Sequence, residues 1–228
     1  MEHNKIPTAS RRITAIAERI AYPRIADIGT DHALLPIYAL RTGRASRAIA
    51  TDIRKGPLVQ ARANAAGLTN IEIRQGDGLS VLAAGEADTI VISGMGGRLV
   101  VEILKNSIDV VLEAKQLVLS PQSALPYVRR YAHSQGFYIS DEEILEEDGV
   151  FYTIMDIRTK PTPHPPYLEA DYELGLYRKP RALFLLYARK WAAHYARIAL
   201  ELSQAPQTPE NIAKLSSVRA KLRLYEEV

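Results

Sequence analysis

The stretch RIADIGTDHALLP, residues 24–36, decides the fold. Its apolar start is typical of a buried strand, and Gly29 allows a tight turn into a following helix. Open α/β sheets bind ligands at such corners, where a helix N-terminus presents unpaired N–H groups. Three roles are open for this turn: a structural corner, a catalytic pairing of Asp31 with His32, or the edge of a nucleotide pocket.

Short apolar runs recur along the chain, with helical patterns between them. Counting the first, they cover residues 25–28, 48–53, 71–74, 89–93 and 117–120. This alternation predicts an α/β fold with a doubly wound parallel sheet, each strand buried on both faces. Before the first run, Ser10 is a suitable cap for a helix that Pro23 brings to an end.

The pattern changes after Gly136. Residues 137–159 form two strand-like runs that meet at Glu147-Asp148-Gly149, and Asp-Gly is a strong hairpin signal. An α/β sheet that finishes in an antiparallel hairpin is typical of class I methyltransferases rather than of dehydrogenases, an inference by analogy of fold. We therefore predict a Rossmann-like, seven-stranded sheet that ends in an antiparallel hairpin.

A proline-rich segment, residues 160–170, marks a domain boundary, which gives a first domain over residues 1–160 and a second over residues 161–228. In the second, apolar residues recur at helical spacing and predict a small, coiled-coil-like antiparallel helical hairpin. Its aromatic stripe fits a helix–helix core better than a platform for base stacking. The stripe comprises Phe184, Tyr187, Trp191, Tyr195, Ile198 and Leu202, continued by Ile212, Leu215, Leu222 and Tyr225.

Composition excludes several classes of function. The 228 residues contain no cysteine, which removes disulfides, thiolate catalysis and cysteine-ligated zinc. No apolar run reaches the roughly 18 residues that cross a bilayer, and the first residues lack the apolar segment of a secretory signal. We expect a cytoplasmic monomer without a membrane segment and, because no ligand spacing favours one, without a metal site.

Positive charge is concentrated near the end of the chain. Residues 171–228 carry ten Lys and Arg against six Asp and Glu, whereas residues 1–170 carry nineteen against twenty. The excess indicates contact with a polyanion, although a solvated helix face would have the same composition. The candidates for phosphate contacts are Arg178, Lys179, Arg181, Arg189, Lys190 and Arg197.

The first turn does not fit a dinucleotide. Of the pattern G-x-G-x-x-G only the first glycine is present, and Asp31 occupies the region meant for a pyrophosphate. A carboxylate there repels phosphate and suits a cofactor that has a cationic sulfonium and no phosphate. We therefore expect S-adenosylmethionine.

One acid lies at the end of the second run and another follows the third. Asp52 is placed to accept the two ribose hydroxyls, and an acid in the position of Asp77 commonly accepts the adenine amino group in this fold. The glycine-rich residues 93–97 let the backbone approach the sulfonium. Each acid alone is more often a cap or turn residue, but their joint placement at strand ends favours a pocket.

Four motifs, DIGTDHALLP, RQGDGL, ADTIVISGMGG and ILEEDG, occur in this order. Together they resemble the bacterial tRNA (adenine(22)-N1)-methyltransferases, the TrmK family, over almost the whole chain. The resemblance implies a class I methyltransferase fold, S-adenosylmethionine as methyl donor, and an adenine N1 in the D-arm region of tRNA as acceptor. It implies cofactor contacts by Asp27, Gly29, Thr30, Asp31, His32, Asp52, Ile53, Gly76, Asp77, Gly78, Ser93, Gly94 and Met95. Because methylation of N1 makes the ring cationic, an acceptor for the N6 amino group would favour the reaction, and the candidates for positioning the target base are Asp31, Met95 and Gln122.

Two details bear on the acceptor. The family's loop after the fifth strand often reads Gln-Pro-Asn, whereas this chain has Ser120-Pro121-Gln122. Enzymes that methylate the exocyclic adenine nitrogen usually carry Asp/Asn-Pro-Pro-Tyr after the fourth strand, which is absent here and favours a ring nitrogen. The alternatives are a methyltransferase acting on another RNA site or a small molecule, and a non-catalytic RNA-binding protein on the same scaffold.

Overall fold

One seven-stranded sheet organises the structure, a computed structural model that describes residues 9–160, 162–163 and 166–228. The strand order is β3-β2-β1-β4-β5-β7-β6; β1 to β5 are parallel, and β7 lies antiparallel between β5 and β6. The predicted sheet with its antiparallel end hairpin is confirmed. The strands are β1 (Arg24–Ile28), β2 (Arg47–Asp52), β3 (Ile71–Gln75), β4 (Thr89–Ser93), β5 (Gln116–Ser120), β6 (Tyr138–Glu147) and β7 (Val150–Arg158).

Helices connect the parallel strands and form the end of the chain. Ser10 caps the first of them by accepting the N–H of Ile13, as predicted. The six-residue α7 is too short for its period to be read from the sequence. The helices are α1 (Arg11–Glu18), α2 (Leu34–Arg41), α3 (Lys55–Asn64), α4 (Gly97–Asn106), α5 (Ile108–Glu113), α6 (Leu125–Ser134), α7 (Glu169–Leu174), α8 (Arg181–Gln204) and α9 (Pro209–Glu226).

The centre of the sheet carries the core. Strands β4 and β5 are buried almost throughout, as continuous apolar runs between two helical layers predict. The prediction that every strand is buried on both faces is wrong for β3, where Ile71 and Ile73 are only partly buried. The reason is position, because β3 pairs with β2 alone and forms an edge of the sheet.

The hairpin between β6 and β7 closes in two residues. Asp148 and Gly149 have φ angles of 52° and 76°, and a tight two-residue turn of type I′ requires positive φ at both positions. The register pairs Glu147 with Val150 directly across the turn. The Asp-Gly signal therefore located the turn correctly.

Helices α8 and α9 are antiparallel. The ring of Tyr225, near the end of α9, lies 6.4 Å from that of Tyr187 and 5.6 Å from that of Tyr195, both in the first two-thirds of α8. Phe184 and Tyr187 are buried, so the aromatic stripe forms a helix core, as predicted. Ile212 does not continue this seam: it is 51% exposed, in the first turn of α9, where its side chain faces solvent.

A buried ion pair joins the sheet to the helices that follow. The Arg129 guanidinium lies 2.5 Å from Glu142 Oε1, and both side chains are almost fully buried. Arg129 Nη1 also donates to the carbonyl of Tyr172 over 2.6 Å, and the N–H of Leu176 donates to Glu142 Oε2. These contacts cross the boundary proposed at residue 160, which stays a prediction.

No helix in the described ranges is long and apolar enough to span a membrane.

Candidate active site

The carboxyl ends of the parallel strands border a cavity of about 520 Å³. Every residue that was assigned from the sequence to the cofactor or to the target base lines it, so the structure brings all of them together. From β1 to β2 these are Asp27, Gly29, Thr30, Asp31, His32, Asp52 and Ile53; from the later loops they are Gly76, Asp77, Gly78, Ser93, Gly94, Met95 and Gln122.

The turn after β1 has a backbone that glycine makes possible. Gly29 has a φ of 71°, and a Cβ at this position would lie 2.1 Å from the Cε of Met95. Asp31 also has a positive φ, of 53°, which aspartate tolerates better than most residues. The N–H of Thr30 donates to the carbonyl of Thr51 over 2.8 Å, which holds the turn against β2.

Asp27 is buried at the end of β1 and faces the cavity. Burial raises the pKa of its carboxyl to about 6, although a hydrogen bond from Thr30 Oγ1 to Oδ2, 2.6 Å long, opposes the rise. Because this carboxylate has few partners of its own, a cationic ligand group in the cavity would stabilise its charged form.

Asp52, at the end of β2, is held in place to accept hydrogen bonds. Burial alone raises the pKa of its carboxyl, but the backbone and side-chain hydrogen bonds from Arg54 outweigh burial and leave the pKa below its usual value. The backbone N–H of Arg54 donates to Oδ1 over 2.8 Å. The carboxylate is therefore held charged and oriented at the place where ribose hydroxyls are expected.

The Asp31–His32 pair is loose. Asp31 Oδ2 and His32 Nε2 are 3.8 Å apart, and the side chains are 60% and 46% exposed. A working acid–base dyad needs a hydrogen bond of about 2.6–3.2 Å and an oriented imidazole. The geometry favours the pocket edge among the three roles considered for this turn.

The loops after β4 and β5 form one unit. The N–H groups of Gly94 and Gln122 donate to the carbonyls of Ser120 and Met95, over 3.1 and 2.8 Å. The N–H of Gly97 continues the series to the carbonyl of Ser123 over 3.0 Å. Because these bonds hold the loops together, Met95 and Gln122 lie side by side at the cavity.

Sequence reasoning missed three kinds of lining residue. Arg54 lies two positions after Asp52. Because a cation so close to an acid at a strand end is visible in the sequence, Arg54 could have been predicted to line the cavity. Leu99 lines the cavity from the start of α4, where it reads as an ordinary helical apolar residue. Arg12 comes from α1, which precedes the first strand, and no local pattern distinguishes it.

The predicted phosphate contacts lie outside this cavity, on and just before α8. Two of them have acidic partners: Arg178 pairs with Asp171 at 3.2 Å, and Lys179 with Asp141 at 2.5 Å. The Arg181 guanidinium lies 5.6 Å from the centre of the Phe184 ring, and the Lys190 ammonium lies 5.1 Å from that of Phe151. All but Arg178, which is partly buried, are exposed: Lys179, Arg181, Arg189, Lys190 and Arg197.

Comparison with known proteins extends this picture. The profile of a methyltransferase domain matches residues 9–155. The tRNA (adenine(22)-N(1))-methyltransferase of Bacillus subtilis (strain 168) is 36% identical over 96% of this chain and 96% of its own length. This chain belongs to the tRNA (adenine(22)-N1)-methyltransferase family.

Two solved structures show the same architecture for this family. The crystal structure of the Bacillus subtilis enzyme TrmK matches with a TM-score of 0.88 and 34% identity, over 98% of this chain and 99% of that one. A Streptococcus pneumoniae protein described as a putative tRNA (m1A22) methyltransferase, in complex with S-adenosyl-L-methionine, matches with a TM-score of 0.84 and 26% identity. That match covers 96% of this chain and 98% of the other.

In the residues that the structure describes, no group of three or more His, Asp or Glu side chains could hold a metal ion.

Proposed function

We propose that this chain transfers a methyl group from S-adenosylmethionine to N1 of adenine 22 in tRNA. One observation carries the proposal: in a chain of this family, the acids Asp27, Asp52 and Asp77 border a single cavity at the ends of successive parallel strands. Its volume of about 520 Å³ is within the range of small-molecule sites.

The lining fits this cofactor better than a dinucleotide. Asp52 would accept the ribose hydroxyls, and Asp77 would accept the adenine amino group. Asp31 and Asp27 would supply negative charge for the cationic sulfonium and ammonium groups, whereas a pyrophosphate at Asp31 would be repelled. Gly29 and Gly94, both with positive φ, allow the backbone to approach the ligand.

The reaction needs positioning more than proton transfer. When bound, S-adenosylmethionine supplies a methyl group whose leaving group is a neutral thioether. The acceptor N1 already has a lone pair in the ring plane, so the chain need not provide a base, in agreement with the loose Asp31–His32 pair. Orientation in the cavity can lower the barrier by about 7–11 kcal/mol. Because N1 lies on the Watson–Crick edge, the cavity has to receive an unpaired or flipped-out base.

Acceptor groups near the exocyclic amine favour the transition state. Methylation at N1 makes the ring cationic, so an acceptor that binds the N6 amino group gains strength as the charge develops. The Gln122 side chain is a suitable acceptor, and Met95, whose carbonyl accepts the Gln122 backbone N–H, lines the same cavity. Asp31 adds a carboxylate to the same cavity.

The helical segment, residues 161–228, is assigned to tRNA binding. Arg189, Lys190 and Arg197 occupy exposed positions on successive parts of α8 and would neutralise backbone phosphates, with Arg178, Lys179 and Arg181 at its start. The enzyme acts as a monomer in the cytoplasm in this proposal.

The experiment uses unmodified tRNA, the same tRNA with guanine at position 22, and S-adenosylmethionine labelled in its methyl group. We expect label in the first RNA alone. Equal label in both would support methylation at another RNA site, and label in neither, from a protein that binds the cofactor, would support a small-molecule acceptor. Calorimetry with the cofactor separates the remaining alternative: a protein that does not bind it, or whose binding survives Asp52→Ala unchanged, would be a non-catalytic RNA-binding protein.

A further inference from the structure

The N-terminus of α1 is fixed beside the cavity by the β6–β7 hairpin. The N–H of Arg11 donates to Glu147 Oε1 over 2.5 Å, and Arg11 Nη1 donates to the carbonyl of Glu146 over 3.0 Å. Further along the helix, Ile16 and Ala17 are buried in the core. The residue next to Arg11, Arg12, therefore lines the cavity from a rigid element rather than from a loop.

The Arg12 guanidinium is held by an aromatic ring. Its Cζ lies 4.8 Å from the centre of the Tyr152 ring, a cation–π contact that leaves N–H groups free to donate. Arg12 Nη1 and Gln122 Nε2 lie 4.0 and 3.9 Å from the point where a Cβ on Gly94 would be. Two donors thus border the space above a glycine at the end of β4.

Arg12 differs from the other arginine that lines the cavity in its charged neighbours. Arg54, the other arginine of the lining, lies 3.3 Å from Asp52 and 3.7 Å from Asp31. Arg12 forms no ion pair with any residue that the structure describes. A cation next to this acidic cavity, without a carboxylate partner there, is suited to an anionic group of a ligand.

The cofactor has one such group. Its methionyl end carries an ammonium and a carboxylate, and the acids of the cavity suit only the ammonium. Asp52 and Gly94 line the same cavity, so a cofactor with its ribose at Asp52 would have its methionyl end available to the Gly94 side, which Arg12 borders. We propose that Arg12 binds the methionyl carboxylate of S-adenosylmethionine, with Tyr152 holding the guanidinium in place; this inference rests on the proposed function.

A nucleotide phosphate offers a similar pair of anionic oxygens, so the test compares ligands as well as variants. Calorimetry would measure the binding of S-adenosylmethionine, of its decarboxylated analogue and of unmodified tRNA to wild type, Arg12→Gln and Arg12→Lys. The control is Arg98→Gln, which removes an exposed cation that does not line the cavity. Thermal unfolding without ligand verifies that each variant is folded.

We expect Arg12→Gln to weaken binding of S-adenosylmethionine by about 10- to 100-fold, the usual effect of losing a charge-assisted hydrogen bond. Arg12→Lys should lose less affinity for S-adenosylmethionine, and Arg98→Gln should lose no measurable affinity. The decarboxylated analogue should bind to wild type and to Arg12→Gln with the same affinity. Unchanged binding of S-adenosylmethionine to Arg12→Gln would overturn the assignment. If Arg12→Gln loses affinity for tRNA alone, Arg12 contacts a nucleotide phosphate instead of the cofactor. Wild type that binds neither ligand would overturn the proposed function as well.

Discussion

The backbone N–H of Gln122 donates to the carbonyl of Met95 over 2.8 Å and joins the loop after β5 to the loop after β4. The same joined unit continues to Gly97, whose N–H donates to Ser123. Two loops that are separate in sequence therefore present one rigid wall to the cavity. The target base and the methyl donor meet at this wall in the proposed reaction, so its rigidity supports the positioning on which the rate depends.

Gly97→Ala should disrupt the wall. An added Cβ would lie 2.3 Å from the carbonyl oxygen of Ser123 and 2.9 Å from Val128, and a backbone oxygen cannot yield without breaking the hydrogen bond between the loops. We expect a loss of about 1–3 kcal/mol in the free energy of unfolding, measured with urea, and reduced methyl transfer. Gly96→Ala is the matched control, because its Cβ meets only the Ser123 hydroxyl at 3.4 Å. Equal stability of the two variants would contradict this close approach.

Asp27 should make stability depend on pH in a particular direction. Its pKa is raised from 3.8 to about 6 in the folded protein, so between about pH 4 and pH 6 the folded state holds a proton that the unfolded chain releases. The free energy of unfolding therefore falls as pH rises through this window, by about 3 kcal/mol in total. Asp27→Asn removes this dependence.

Urea unfolding of the cofactor-free protein at several pH values between 4 and 7 measures the effect. As pH rises, the free energy of unfolding of Asp27→Asn should increase relative to that of wild type, and the difference should level off near pH 7, about one pH unit above the pKa of Asp27. A difference that is the same at every pH would mean that Asp27 is not desolvated.

Removing one member of the buried Arg129–Glu142 pair should destabilise the protein more than removing both. Arg129→Met leaves the Glu142 carboxylate buried without its cation and should cost about 3–5 kcal/mol of unfolding free energy. The double variant Arg129→Met/Glu142→Met removes both charges and should recover much of that loss. If the double variant loses as much unfolding free energy as the two single changes together, the two side chains do not depend on each other.

The α8 cations should govern the salt dependence of tRNA binding. Arg189→Ala/Lys190→Ala should weaken binding and reduce the slope of log K against log salt by about 0.9 for each phosphate that is no longer neutralised. Fluorescence anisotropy with labelled tRNA measures both quantities. The control is Arg44→Ala/Arg47→Ala, exposed cations at the opposite, amino end of the sheet. If the two double variants lose affinity equally, α8 has no special part in binding.

Most of the fold could be read from local signals. Asp27 and Asp52 end buried strands, and Asp148-Gly149 forms a turn for which these residue types are strongly preferred. The edge position of β3 could not be read in this way. It depends on the order of strands in space, which short apolar runs do not encode.

The candidate site was predictable where its residues follow strands directly. The carboxyl ends of parallel strands meet at one edge, so a pattern along the chain becomes a group in space. Arg12 does not follow a strand. It reaches the cavity because Arg11 contacts Glu146 and Glu147, more than 130 residues away, and such a tertiary contact leaves no trace in a helical pattern.

The central claim is tested most directly by the identity of the methylated nucleoside. Unmodified tRNA is incubated with the protein and S-adenosylmethionine, then digested and mapped by mass spectrometry. We expect 1-methyladenosine at position 22 and at no other position. A methyl group on the exocyclic nitrogen, on another base or at another position would contradict the proposed function.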